Sequence, residues 1–242
     1  MKIFMGYDPR DNLAFQVAEQ SIREHATCPV DIIPVTDWDM RKRGLHWREY
    51  RVDRNGQMWD ERDGKPFSTQ FSFTRFCVPA LNEYRDEWVL FMDPDMMFRG
   101  DIAALEDIDS TGQALLCVQH DHTPKEDVKM DGVMQTRYLR KNWSSLMYMN
   151  TAKCRSLTPF EVNNSTGAAL HAFSWTMDEL IGSLPREWNF LAGYDDPAEC
   201  DPINVHFTLG TPDMEHAPAT PWDGEWWDVL DRARKGILNA AA

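Results

Sequence analysis

The sequence predicts an α/β fold in which strands and helices alternate around a largely parallel sheet. Two short apolar segments, at residues 2–7 and 30–35, flank a stretch whose apolar residues recur at helical spacing, which is a βαβ pattern. The continuous apolar run Trp88–Met92 is typical of a strand buried on both faces of a sheet. Crossovers in such sheets are right-handed, and ligands bind at the carboxyl ends of the strands.

The first strand is followed by residues 8–11, Asp-Pro-Arg-Asp, which have turn and helix-cap chemistry. The helix after them carries Ala14, Val17, Ala18 and Ile22 on one face, and we expect it to end before Pro29. Residues 41–65 are rich in charge, Trp and Gly without a clear period, which predicts a long surface excursion.

The second half of the chain continues the alternation of strands and helices. A helix is predicted from Ser68 towards Tyr84, although Pro79 lies inside it. Further strands are expected at residues 114–119, 145–149 and 205–208, and helices around residues 159–173 and 225–238. The chain has no internal repeat, low-complexity tract or linker, so residues 1–242 are predicted to form one domain.

Charge and cysteine content restrict the possible partners and compartments. Acidic residues outnumber basic ones by 39 to 25, and the net charge of -14 argues against binding a nucleic acid polymer or an anionic membrane. A small anion is still allowed if carboxylates hold a divalent cation beside it. The five dispersed cysteines indicate free thiols and a reducing compartment. With no leader-like first segment and no apolar run of membrane-spanning length, the sequence predicts a cytoplasmic protein.

The pair Asp93 and Asp95 is the strongest chemical signal in the chain. Two carboxylates spaced two residues apart on an extended segment point to the same side, and Pro94 between them favours that extended geometry. Such a pair at the end of an apolar strand is costly unless a cation neutralises it. The alternative is that one Asp caps the next turn while the other is solvated.

Several motifs together resemble glycosyltransferase family 8. They are Phe73-Thr74-Arg75-Phe76, the strand ending in Asp93-Pro94-Asp95, Gly100-Asp101-Ile102, residues 144–150, Asp178-Glu179-Leu180 with residues 184–189, and Val205-His206-Phe207 with Gly210. The order of these motifs agrees with the family over most of the chain. The resemblance implies a GT-A fold, which is a Rossmann-like nucleotide-binding mixed sheet flanked by helices. It also implies transfer of a hexose from a nucleotide-diphosphate sugar, usually a UDP-sugar, to a carbohydrate or glycoconjugate acceptor with retention of configuration.

The resemblance also assigns a metal centre to Asp93, Asp95 and His206. A histidine in a short apolar strand is otherwise more often a satisfied core residue. Two carboxylates and one imidazole suit Mn²⁺ or Mg²⁺ better than zinc or copper.

Donor-binding and catalytic roles follow from the same motifs. The residues expected to bind the donor are Gly6, Tyr7, Asp8, Arg75, Asp93, Ser144 and Ser145. For residues 6–8 a plain strand-to-helix turn is the alternative. The residues expected to be catalytic are Asp178 and Glu179, by stabilising a sugar cation or by nucleophilic attack, with a solvated helix face as the alternative.

The chain departs from the family pattern in three places. Glu179 stands where the family usually has Gln, and residues 143–145 are Trp-Ser-Ser where Asn and Gly are usual. The last motif lacks its lysine, so the diphosphate requires positive charge from elsewhere. Two other functions therefore stay open. One is a sugar-binding protein without catalysis, and the other is a haloacid-dehalogenase-type phosphatase, which also places Asp-x-Asp after an apolar strand.

Overall fold

The computed structural model describes residues 1–121 and 140–240 of the 242-residue chain. The strands are β1 (Lys2–Gly6), β2 (Asp31–Val35), β3 (Tyr50–Val52), β4 (Met58–Asp60), β5 (Pro66–Phe67), β6 (Trp88–Met92), β7 (Met96–Phe98), β8 (Leu115–Val118), β9 (Leu146–Asn150), β10 (Ile181–Leu184), β11 (Phe190–Leu191) and β12 (Asn204–His206). The α-helices are α1 (Asn12–His25), α2 (Asp37–Lys42), α3 (Phe71–Thr74), α4 (Val78–Leu81), α5 (Pro159–Asn164), α6 (Gly167–His171) and α7 (Asp223–Ala240). Short 3₁₀ helices cover Pro9–Asp11, Arg75–Cys77, Ile102–Asp107, Trp143–Ser145, Thr151–Lys153, Asp178–Leu180 and Arg186–Asn189.

The central sheet has six strands in the order β10-β8-β9-β6-β1-β2. Strands β2, β1 and β6 are parallel to one another, as are β10 and β8, whereas β9 runs antiparallel to both β6 and β8. The sheet is therefore mixed, as the family resemblance implied, and the expectation of a largely parallel sheet was too simple. An apolar strand buried on both faces has the same composition in either direction, so composition alone could not predict the reversal of β9.

Side chains alternate between the two faces of the sheet along each strand, and both faces are buried. In β6, Val89 and Phe91 join one core cluster, whereas Leu90 and Met92 join a second cluster on the opposite face. This alternation confirms that the apolar run at residues 88–92 is a strand buried on both faces.

A second, three-stranded sheet continues from the end of β6 and has the order β11-β12-β7. The apolar stripe of α1 and the C-terminal helix α7 cover it, and the core between them contains Val17, Met97, Val205 and Trp226. Pairing of β7 with β12 is antiparallel and puts Met96 opposite His206. This register fixes the distance between the Asp93/Asp95 segment and the histidine strand.

The helix predicted from Ser68 to Tyr84 is broken into three short pieces. Helix α3 passes into the 3₁₀ turn Arg75–Cys77 and then into α4, where Pro79 lies in the first turn. A proline at this position removes an N–H that the start of an α-helix leaves unpaired, so it begins α4 instead of interrupting one long helix.

The charged excursion at residues 41–65 differs from expectation because it carries its own buried structure. Its strands β3 and β4 pair with β5 as a small antiparallel sheet. Arg48 is 3% exposed and its guanidinium binds the carboxylate of Asp60, which is 2% exposed, at 2.6 Å. Arg48 also donates to the carbonyls of Val162 and Ser165. These contacts fasten the excursion to α5 and to the loop before α6.

All five cysteines are free thiols. Burial raises the pKa of Cys77 and of Cys154 to about 12, so these two thiols are not ionised at neutral pH. Across residues 1–121 and 140–240, no helix combines the length and the apolar character needed to cross a membrane.

Candidate active site

Asp93, Asp95 and His206 come together at the carboxyl end of β6. The backbone N–H of Asp93 donates to the Ser145 carbonyl at 2.8 Å, and the Asp95 carbonyl accepts from Phe207 N–H at 2.8 Å. One ligand atom from each of the three side chains lies within 4.8 Å of the other two. Among the described residues this is the one cluster of three such groups that fits a metal ion.

The imidazole of His206 is held in one tautomer. Its Nδ1 lies 2.9 Å from Oδ1 of Asn189, whose Nδ2 in turn donates to Ser145 Oγ at 2.9 Å. An amide oxygen only accepts, so His206 Nδ1 carries a proton, and in the neutral imidazole the lone pair is then on Nε2. That Nε2 lies 3.4 Å from Asp95 Oδ1, on the side where a cation would be shared. A histidine that donates from one nitrogen to a fixed acceptor is the arrangement found behind metal-ligating imidazoles.

Arg75 lies behind the first carboxylate. Its Nη1 is 2.9 Å from Asp93 Oδ1 and donates to the Ser144 carbonyl, also at 2.9 Å. The guanidinium carbon stands over the rings of Phe71 and Phe91 at 5.4 and 5.3 Å. This buried cation therefore balances one aspartate and fixes the turn that carries Ser144.

These groups form one side of a large cavity with a volume of about 890 Å³. That volume lies within the range of cavities that hold cofactors and drug-sized ligands. The predicted site residues that line it are Arg75, Asp93, Asp95, Ser144, Ser145 and His206. The excursion and the start of α6 form another part of the wall, through Asn55, Gly56, Asp63, Lys65 and Gly167.

Basic as well as acidic residues line the cavity. Arg10, Lys65 and Lys141 line it together with Arg75. The sequence did not single out Arg10, Lys65 or Lys141, because isolated basic residues are common on any surface. Only the folded chain brings them to the same cavity as the aspartates.

Residues 6–8 lie at the end of β1 and in the loop that follows it. A Cβ on Gly6 would lie 2.6 Å from the ring of Phe71, so the absence of a side chain lets the ring approach. Tyr7 packs edge-on against Phe15. Residues 6–8 are not among the lining residues, whereas Arg10 and Asp11 are.

Asp8 is a buried support for Arg10. Its carboxylate is 1% exposed and binds Arg10 at 3.0 and 2.7 Å, and it also accepts from the Gln70 N–H. Burial opposes ionisation, but the hydrogen bonds from Arg10 and Gln70 outweigh it and lower the pKa of Asp8. The structure thus gives Asp8 a supporting place at this site, and a direct contact of residues 6–8 with the donor stays a prediction.

Asp178 and Glu179 lie apart from the metal cluster. Both are exposed, on the 3₁₀ helix before β10, and neither lines the cavity. Asp178 forms an ion pair with Arg140 at 2.6 Å. The structure does not place these two residues in the metal cluster or in the cavity lining. Their exposure fits a solvated helix face as well, and their catalytic role stays a prediction.

Two residues of the site were not among those predicted from the sequence. Asn189 stands in one of the family motifs, and its burial could have been anticipated from its place between Trp188 and Phe190. His171 had no sequence signal. Its Nδ1 lies 2.7 Å from Ser144 Oγ, and both residues line the cavity.

The fold is that of the GT-A glycosyltransferases. The similar solved structures include the bifunctional glycosyltransferase WbbM in its apo form, with a TM-score of 0.59 and 15% identity over 95% of this chain and 51% of that one. Apo GlyE of Streptococcus pneumoniae TIGR4 has a TM-score of 0.57 and 16% identity, over 99% of this chain and 63% of GlyE. The chain thus spans about half to two thirds of these two proteins. An active-site mutant of LgtC has a TM-score of 0.56 and 13% identity, with 96% of each chain covered.

Sequence comparison places the chain in a family. It is 46% identical over 233 residues to Protein CDI of Arabidopsis thaliana, covering 94% of this chain and 81% of that protein. The chain belongs to the same family as Protein CDI. No protein-family model matches the sequence.

Proposed function

We propose that this protein is a metal-dependent glycosyltransferase that moves a hexose from a nucleotide-diphosphate sugar to a carbohydrate-containing acceptor. The observation that carries the proposal is the cluster of Asp93, Asp95 and His206 in the wall of an 890 Å³ cavity within a GT-A fold. A UDP-sugar and retention of configuration are the finer expectations that the family 8 resemblance adds.

The ligand set supports Mn²⁺ or Mg²⁺ as the resident metal. Two carboxylates and a single imidazole form the oxygen-rich set that these ions prefer. Bound there, the ion would supply Lewis-acid stabilisation of the diphosphate leaving group. Asn189 supports this role by fixing His206 so that Nε2 faces Asp95.

The charges around the cavity support an anionic donor in a chain with a net charge of -14. Arg10, Lys65 and Lys141 contribute positive charge to a lining that also contains Asp11 and Asp63. Arg10 is held in place by the buried carboxylate of Asp8, which lowers the entropy cost of using it as a phosphate or base contact. These cations offer a diphosphate the charge that the missing lysine of the last motif does not.

The excursion supports transfer to an acceptor over loss of the sugar to water. Its tip, at Asn55 and Gly56, lines the cavity, while its base is fastened by Arg48. A wall that covers the reacting groups excludes water and strengthens electrostatic interactions inside the site. We propose that any ordering of residues 41–65 on donor binding is confined to this tip.

LgtC supplies an analogy for the two substrates. Its structure, described as a galactosyltransferase in complex with donor and acceptor sugar analogs, has a TM-score of 0.54 to this chain at 14% identity. We extend to this chain the binding of a donor and an acceptor, but not the identity of either sugar.

Calorimetry with MnCl₂ and a panel of nucleotide sugars, followed by a donor-hydrolysis assay, tests the proposal. We expect manganese-dependent binding and turnover of at least one donor, and a strong reduction of turnover in Asp95→Asn. Asp107→Asn removes an exposed carboxylate outside the site and is the control. Turnover by Asp95→Asn without added metal would refute the metal centre.

A sugar-binding protein without catalysis is the second candidate. The observation that favours it is the position of Asp178 and Glu179 outside the cavity. Manganese-dependent binding of a nucleotide sugar, with neither hydrolysis nor transfer, would establish this second function. The phosphatase alternative loses its support, because the fold is that of the GT-A glycosyltransferases.

A further inference from the structure

His171 and Ser144 form a polar pair in the cavity that no motif predicted. Nδ1 of His171 and Oγ of Ser144 are 2.7 Å apart, and the histidine ring packs edge-on against Phe76 with centroids 5.1 Å apart. Ser144 is 2% exposed. These contacts restrict both side chains, and Ser144 is almost fully buried although it lines the cavity.

The direction of the hydrogen bond follows from the other contacts of the ring. His171 also hydrogen-bonds to the backbone of Ser72, a contact that favours the protonated ring and so involves the carbonyl as acceptor. Nδ1 is engaged with Ser144, so we assign the donation to this carbonyl to Nε2. Burial, followed by the charges of Arg75 and Lys141, lowers the pKa of His171 well below its ordinary value, so the ring is neutral. A neutral imidazole protonated on Nε2 accepts at Nδ1, and the Ser144 hydroxyl must donate to it.

A serine hydroxyl that already donates its proton in this way can only accept a hydrogen bond from a ligand. A phosphate oxygen has no proton to give, whereas a sugar hydroxyl has one. Ser144 is also adjacent to the metal cluster, because Arg75 joins its carbonyl to the carboxylate of Asp93. A sugar attached to a diphosphate at the metal would place its hydroxyls within reach of this turn.

We propose that His171 is a positioning residue that makes Ser144 an acceptor-only contact, which selects donors with a free hydroxyl at one ring position of the transferred sugar. This inference rests on the proposed function. The contact is nearly fully desolvated, so a donor lacking that hydroxyl leaves a buried acceptor unpaired.

The first experiment measures the proton position directly. Long-range ¹H–¹⁵N correlation of the full-length protein, with His171 assigned by comparison with His171→Phe, reports which ring nitrogen carries hydrogen. We expect Nδ1 to be unprotonated. A protonated Nδ1 would make the serine a donor to the ligand and overturn the inference, whatever the activity of the protein.

The second experiment compares donors. UDP-glucose, or whichever panel sugar the unmodified protein turns over, is assayed beside its deoxy analogues at each ring hydroxyl. Ser144→Ala should lower kcat/KM for the parent donor about tenfold, the equivalent of one hydrogen bond, and leave one deoxy analogue unaffected. Binding of UDP with manganese should not change, since UDP has no transferred sugar.

Two histidine variants separate positioning from packing. His171→Phe keeps an aromatic ring against Phe76 and should reproduce the loss of hydroxyl preference. His171→Asn places an amide oxygen near the position of Nδ1 and should restore it. Ser183→Ala removes an exposed serine outside the cavity and serves as the matched control.

The failures are distinguishable. If Ser144→Ala lowered kcat/KM equally for the parent and every deoxy donor, or weakened the binding of UDP alone, the hydroxyl-reading role would be refuted. The proposed transferase function would be unaffected by that result. Absence of any nucleotide-sugar turnover in the unmodified protein would instead remove the proposed function, and the hydroxyl reading with it.

Discussion

Replacing Asn189 by Leu should weaken metal binding without touching a metal ligand. The side chain is fully buried and its Oδ1 accepts from His206 Nδ1 at 2.9 Å. Leucine has a similar volume but offers no acceptor, so the imidazole loses the contact that fixes its tautomer and orientation. Loss of such an outer partner typically costs about 10- to 100-fold in metal affinity. The corresponding free energy is about 1.4–2.7 kcal/mol.

The same substitution should also destabilise the fold. It leaves the buried Nδ1–H of His206 without an acceptor, which lowers the free energy of unfolding by about 1–3 kcal/mol. Ser145 Oγ loses the amide donor but still donates to the Asn142 carbonyl at 2.7 Å, so its contribution is smaller. Asn189→Asp should behave differently, since a carboxylate accepts the same proton and makes the imidazole more basic. We expect this variant to retain manganese affinity.

Titration calorimetry with MnCl₂ and thermal unfolding without metal measure the two effects separately. Asn163→Leu is the matched control, because Asn163 is 5% exposed and donates to the carbonyls of Leu45 and Pro159, away from the cavity lining. It should lower the melting temperature and leave manganese affinity unchanged. If Asn189→Leu bound manganese like the unmodified protein while His206→Ala did not, the proposed role of Asn189 would be refuted.

Four further outcomes are expected. Arg75→Met should tighten the binding of manganese alone, because it removes a cation 2.9 Å from Asp93, and it should weaken the binding of a nucleoside diphosphate. Calorimetry measures the affinity for each ligand, and a change of both affinities in the same direction would contradict this prediction. Asp95→Asn should cost about 3 kcal/mol of transition-state stabilisation, measured as kcat/KM at saturating manganese, and a normal rate would argue against the centre. Asp8→Asn should destabilise the protein at neutral pH and flatten its acid unfolding curve. Because the pKa of Asp8 is lower in the folded protein than in the unfolded chain, its carboxylate stabilises the fold above the unfolded pKa, and this stabilisation is lost as the pH falls below about 4. Equal slopes of stability against pH for both proteins in an acid titration would count against the Asp8–Arg10 pair. Arg48→Met leaves Asp60 buried without its cation and should lower the free energy of unfolding by about 3–5 kcal/mol, with faster hydrogen exchange at residues 46–63. Unchanged exchange at these residues would show that Arg48 does not fasten the excursion.

Two further expectations concern the stereochemistry of transfer and the dynamics of the unmodified protein. Proton NMR of the first transfer product should show an α-linked product from an α-linked donor, and inversion would reject the retaining mechanism. Hydrogen exchange with donor and manganese should slow near Asp93 and at the tip of the excursion, around residues 53–57. Slowing across the whole of residues 41–65 would instead mean that the buried base of the excursion also closes on the donor.

The sequence by itself determined the parts of the site that depend on local periodicity. A strand buried on both faces needs a continuous apolar run, and the spacing of two aspartates placed directly after such a run predicts that they share a cation. Asp93 and Asp95 do lie at the carboxyl end of β6, and His206 lies beside them. The main strands could be predicted for the same reason, because side-chain alternation and burial are encoded residue by residue.

Tertiary structure alone decided which neighbours these residues have. The contacts of Arg48 with Val162 and of Asn189 with Ser145 join positions 114 and 44 residues apart, so no local pattern reports them. The same limit explains why the excursion showed no core pattern in the sequence and yet buries Arg48. It also explains why Asp178 and Glu179 suited a catalytic role by motif and yet lie outside the cavity. The chemical state of a polar side chain, such as a tautomer, depends on the group facing it, and packing brings that group from elsewhere in the chain.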